Sequence, residues 1–110
     1  MDWRKPIDFR GEFTKRLWDR CIIEHYNYDL ERCIEKIEIK IKEEGVFMTD
    51  PKNPDKVWCL IKIENIGLIK IILAETNKTI KAITIACPVT NPECHRRYNE
   101  AIKNFKSNKK

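Results

Sequence analysis

The apolar positions of the chain change period near its middle. From Gly11 to about Ile23, the residues Phe13, Leu17, Trp18, Cys21 and Ile22 gather on one side of a 3.6-residue repeat, while Glu12, Lys15, Arg16, Asp19 and Arg20 fill the other. That pattern predicts an amphipathic helix, with Pro6 before it and Asp8 or Gly11 at its start. Glu24-His25-Tyr26-Asn27-Tyr28 reads as a turn. A second helix follows, because Leu30, Cys33, Ile34, Ile37 and Ile41 recur at helical spacing after Asp29, a good N-cap. Glu38 and Lys42 make a favourable i,i+4 pair on its outer surface, and Gly45 suits its C-terminus. Ile37, Ile39 and Ile41 also alternate like a strand, which blurs the end of that helix.

Beyond Gly45 the pattern turns to short apolar runs separated by turn residues. Val46-Phe47-Met48 is a short strand, and Thr49 to Lys56, with Pro51, Asn53, Pro54 and Asp55, is a loop. Strands are expected at Val57–Ile63, Leu68–Ala74 and Thr79–Cys87, with turns at Glu64–Gly67 and Glu75–Lys78. Connections this short force antiparallel neighbours, because a parallel crossover takes a dozen or more residues. Pro88, Asn91 and Pro92 end the last strand. Glu93 to Phe105 then reads as a short helix with a sparse stripe of Tyr98, Ala101, Ile102 and Phe105, and Lys106 to Lys110 as a basic tail. The expected fold is α+β, with two N-terminal helices packed on one face of a four-stranded antiparallel meander and a short C-terminal helix or basic tail. It forms one domain over residues 1–110, with an ordered core at about 7–105.

Composition narrows the class. No apolar run approaches the roughly 18 residues of a membrane span, and the longest, Ile66 to Leu73, is broken by Lys70. Met1-Asp2-Trp3-Arg4-Lys5-Pro6 lacks the apolar stretch of a signal peptide, so a cytoplasmic protein without membrane contact is expected. Five cysteines then read as reduced thiols, with Cys21 and Cys33 on buried helical stripes and Cys59 in a strand. Cys87, Cys94 and His95 carry a metal flavour, but their spacing lacks the short Cys-x2–4-Cys knuckle of structural zinc sites. A zinc reading needs Cys59 or His25 as a further ligand, and the expectation is packed thiols with no metal or cofactor.

The net charge of +5 is unevenly spread: residues 26–45 carry −2, while residues 91–110 carry +4 through Arg96, Arg97, Lys103, Lys106, Lys109 and Lys110. Cations beside Tyr98 and Phe105 suit a polyanion, whose phosphates take the charges and whose bases stack on the rings. The bland alternative is a solvated tail. Arg16 and Arg20 lie one helical turn apart and suit either a phosphate or a salt bridge to Glu12, Asp19 or Glu24. Several enzyme classes are excluded. The one serine, Ser107, lies in the tail, and the three glycines (Gly11, Gly45, Gly67) are too widely spaced for a phosphate loop. Acid–base work is open to His25, His95, Glu64 and Glu75, with nothing singling one out.

Three segments carry a family resemblance. Phe13-Thr14-Lys15-Arg16-Leu17-Trp18-Asp19-Arg20-Cys21-Ile22 resembles the first helix of small toxins whose pattern is roughly Phe-Thr-x-His-Ala-x-x-Arg, and Tyr28-Asp29-Leu30-Glu31-Arg32-Cys33-Ile34 their second helix. Lys81-Ala82-Ile83-Thr84-Ile85-Ala86-Cys87-Pro88 is similar to their last strand, and Glu93-Cys94-His95-Arg96-Arg97-Tyr98 to their basic, Tyr-containing end. The family is the RelE/BrnT-like toxins and related small domains, which share a fold with barnase-like and colicin-like ribonucleases. The resemblance implies a metal-independent endoribonuclease acting on RNA, with Arg96, Arg97 and Tyr98 as catalytic residues, Arg16 and Arg20 as nucleic-acid contacts, and a cognate antitoxin as a further partner; the basic C-terminal charge adds Lys103 to the nucleic-acid contacts. The family's helix-one histidine is missing, with Lys15 or Arg16 in its place. The alternative is therefore a non-catalytic basic domain that binds nucleic acid or a protein partner.

Overall fold

A computed structural model describes residues 1–87 and 89–108, with side chains through Asn104. Pro88 and the tail residues Lys109 and Lys110 lie outside the described residues. In chain order the elements are β1 (Ile7–Asp8), α1 (Glu12–Asp19), a 3-10 turn (Ile23–Tyr26), α2 (Leu30–Glu44), β2 (Val46–Thr49), β3 (Lys56–Ile63), β4 (Gly67–Glu75), β5 (Ile80–Ala86) and α3 (Pro92–Asn108). The strands form one sheet in the order β1-β5-β4-β3-β2.

β2 to β5 are antiparallel neighbours, as their short turns require. Two expectations about the sheet and the C-terminus need correction. The sheet has five strands and is mixed, because Ile7 and Asp8 pair in parallel with Ile80 and Lys81. Two residues carry too little alternation to be read as a strand, and this one is held by tertiary pairing and by Ile80 N–H donating to the Pro6 carbonyl at 2.9 Å. The C-terminal helix is 17 residues long, so the backbone of 106–108, expected as tail, is helical. α1 and α2 share one face of the sheet, as expected of the two N-terminal helices, and α3 takes the opposite face, so the three helices divide between the two.

That division follows from strands whose two faces are both apolar. On one side Cys59, Ile61 and Ile63 of β3 and Ile69, Ile71 and Leu73 of β4 meet Phe13 and Leu17 of α1 and Cys33, Ile37 and Ile41 of α2. On the other side Leu60 and Leu68 are also fully or nearly fully buried and need cover, which Cys94 and Tyr98 of α3 supply together with Val46, Met48 and Val89.

Local chemistry explains the helix ends. Asp29 caps α2, its carboxylate accepting the Arg32 N–H at 3.1 Å. Gly45 ends the helix for a reason the sequence conceals. Its φ of −62° is ordinary, but a Cβ there would lie 2.5 Å from the Ile41 carbonyl oxygen and 2.9 Å from both Cys59 Sγ and Phe47 Cζ. α1 is shorter than expected and stops at Asp19, since Cys21 has a φ of 57° and turns the chain out of the helix. Cys21 and Trp18, placed by periodicity on the buried stripe, are therefore exposed. Trp18 leans on Tyr28, at 6.1 Å between ring centroids. Phe9 is buried, whereas Ile39 is 40% exposed on the outer face of α2.

Candidate nucleic-acid interface

α3 packs along the β2 side of its face and leaves the rest of that face open. Alternation along the strands fixes which residues occupy it. Trp58, Ile72 and Thr84 are register partners in one row across β3, β4 and β5. Leu60, Lys70 and Ala86 form the row on one side, and Lys56, Ala74 and Lys81 the row on the other. Lys62, beside Leu68, lies beyond the Leu60 row. Leu60 is fully buried under α3, whereas Trp58, Lys70, Ile72, Ala74 and Thr84 are half-buried and Lys81 and Lys62 exposed. The row of Trp58, Ile72 and Thr84 is thus flanked by lysines.

The electrostatics of this face are one-sided. Among the described residues, none of Lys56, Lys62, Lys70 and Lys81 has a carboxylate within salt-bridge distance. The Lys70 ammonium lies 3.9 Å over the Trp58 ring, a cation–π contact in place of an ion pair. Asp8 and Asp50 lie at the edges of the face, and both are engaged. Asp8, beside Lys81 on β1, takes the Arg10 guanidinium at 3.0 Å, and Arg10 holds its carboxyl down to about 2. Asp50, at the end of β2, is buried and accepts the Lys52 N–H at 2.8 Å and the Asn53 N–H at 3.3 Å. The Lys52 N–H foremost keeps Asp50 acidic. The buried Trp58 Nε1 itself has no partner of hydrogen-bond geometry.

The residues singled out in the sequence are placed differently. Arg16 and Arg20 belong to α1 and its C-terminus, on one side of the sheet, while Arg96, Arg97, Tyr98 and Lys103 belong to α3 on the other, so the two groups do not come together. Arg16 pairs with Glu12 on its own helix at 3.1 Å. Arg96 is gripped by Glu93 and by Glu100, the latter at 3.0 Å, and Arg97 lies 3.5 Å from Glu93. Tyr98 packs half-buried against the α3 core, and burial pushes its phenol up. Arg20 lies near the Cys87 thiol, and Lys103 is exposed on α3.

The remaining candidates are equally dispersed. His95 Nε2 lies 2.6 Å from the Val89 carbonyl oxygen, a contact that ties the start of α3 to the preceding loop. Cys59 and Cys87 belong to the α1–α2 side of the sheet and Cys94 to the α3 side, so the four-ligand zinc arrangement is split by the sheet itself. Burial raises the Cys59 thiol to about 12 and the Cys33 thiol to about 11, the behaviour of packed thiols.

Sequence reasoning passed over Trp58 and the sheet lysines because it weighed charge by segment. The usable signal was the even-numbered alternation of Lys56, Trp58, Leu60 and Lys62 on β3 with Leu68, Lys70 and Ile72 on β4. Comparison with family models, curated proteins and solved structures finds no match. The fold and the site define a small α+β domain with a mixed five-stranded sheet, one face packed under α1 and α2 and the other half-open and basic. Among the described residues, no helix is long and apolar enough to cross a membrane.

Proposed function

We propose that this chain binds RNA through the open half of its sheet. The observation that carries the reading is the lysine-flanked row of Trp58, Ile72 and Thr84, in which the Lys70 ammonium rests on the Trp58 ring with no carboxylate partner. Unpaired ammonium groups on a sheet face suit a phosphate backbone, and an aromatic ring among them suits a base. The cleavage implied by the resemblance to RelE/BrnT-like toxins would fall to Arg96, Arg97 and Tyr98. Two of these are held by carboxylates of their own helix, and the third packs half-buried against the α3 core. Binding is therefore the reading the geometry supports better than catalysis.

Fluorescence anisotropy with a labelled single-stranded RNA, between about 50 and 200 mM salt, tests it. Four lysine–phosphate contacts give a log–log slope of affinity against salt near −3, at about 0.7 per contact on a single strand. Lys70→Ala and Lys81→Ala each reduce that slope by about 0.7, whereas Arg96→Ala leaves it unchanged. Absent binding, or affinity indifferent to salt and to both lysines, removes the proposal. Recovery of cut RNA, with cutting abolished by Arg96→Ala, would return the ribonuclease expectation in its place.

A further inference from the structure

Resting on that reading, we infer that the open half of the sheet accepts an unpaired strand and refuses a duplex, and that Lys70 is a displaceable cover on the Trp58 stacking surface. The open rows span β3 to β5, about 10 Å at the usual strand spacing. They are bounded on the β2 side by α3, which at about 10 Å across stands as a wall beside them. A duplex keeps its base faces inside its own stack, so the row of Trp58, Ile72 and Thr84 has nothing to contact on it. An unpaired strand can turn its bases onto that row and its phosphates towards Lys56, Lys70 and Lys81.

Lys70 sits where such a base must go. Its ammonium occupies a face of the Trp58 ring at 3.9 Å, and its register neighbours Leu60 and Ala86 offer it no anion. A phosphate is a stronger partner for an ammonium than an aromatic ring, because the contact is between full charges. Arrival of the backbone therefore draws Lys70 off the ring and frees the ring face for a base. The lysine covers that face of the indole in the free protein and, on leaving it, becomes a phosphate contact. One residue thus serves both states.

The test compares an oligouridine, which has no self-pairing, with the same oligouridine annealed to oligoadenine, at one salt concentration. Trp58 stays in place, since its ring packs against the α3 core. Binding at the site is read from the indole N–H resonance of Trp58, assigned in 15N-labelled protein. The expected result is at least tenfold tighter binding of the single strand, with a Trp58 indole shift that the duplex does not produce. Lys70→Met, which keeps the length and loses the charge, weakens single-strand binding about three- to tenfold. Equal affinity for duplex and single strand, or a Trp58 resonance unmoved at saturating oligouridine, overturns the inference while RNA binding itself stands. Failure of both probes to bind overturns the RNA reading, and this inference with it.

Discussion

Ile71 and Ile72 are adjacent on β4 and face opposite sides of the sheet, so the same substitution at each measures how open the second face is. Ile71 is fully buried between the sheet and the α1–α2 layer, whereas Ile72 is half-buried in the open row between Trp58 and Thr84. Burying an isoleucine side chain completely is worth about 1.5–3 kcal/mol. Ile72→Glu loses only part of that and adds a carboxylate that water still reaches, near Lys70 and Lys81. The expected cost is about 1–2 kcal/mol, a fall in Tm of about 4–8 °C. Ile71→Glu forfeits the whole burial and leaves an unpaired charge in the core. Its cost is about 5 kcal/mol or more, comparable with the entire stability of a small domain. Thermal unfolding followed by circular dichroism separates the two outcomes. The same Ile72→Glu protein, still folded, loses RNA affinity because its carboxylate repels phosphate and engages the neighbouring lysines. If Ile72→Glu unfolds the protein as badly as Ile71→Glu, the second face is covered and the interface argued from its openness is wrong.

Further outcomes follow from the packing and the titrating groups. Gly45→Ala should cost about 1–3 kcal/mol, read as a lower urea midpoint, because its Cβ meets the Ile41 carbonyl oxygen at 2.5 Å; an unchanged midpoint would show that the α2–β2 corner gives way freely. Burial raises the folded-state values of Cys33 and Cys59 to about 11 and about 12, so their contribution to stability is complete below about 8.5 and is lost as pH rises through the folded values. A thiol-labelling time course should accordingly modify exposed Cys21 first and reach Cys33 and Cys59 only on unfolding; early labelling of either would contradict their packing. Asp8 is depressed to about 2 by Arg10, so its contribution is present above about 3.9 and is lost as pH falls towards 2. Asp8→Asn should flatten that part of the acid limb, and a carboxyl NMR titration of Asp8 with an ordinary midpoint would refute the pairing.

Short-range pattern determined much of this protein. The 3.6-residue repeat from Leu30 to Ile41, with Asp29 before it, is enough to specify α2, and the turns at Glu64–Gly67 and Glu75–Lys78 leave β3, β4 and β5 no arrangement but antiparallel neighbours. Both depend on residues a few positions apart, whose interactions the sequence displays directly. The two residues of β1 are different, because their strand character comes from Ile80 and Lys81, more than 70 positions away. The length of α3 was hidden by its weak stripe, and its side of the sheet was decided by the demand of Leu60 and Leu68 for cover once α1 and α2 had taken the other face. Charge misled in the same way. Arg96 and Arg97 look free as a run of cations, yet an i,i+3 or i,i+4 carboxylate neutralises each, while Lys70, unremarkable in a strand, meets Trp58 only because two strands align. The candidate site lives in that cross-strand alignment, a tertiary property that local spacing along one strand does not contain.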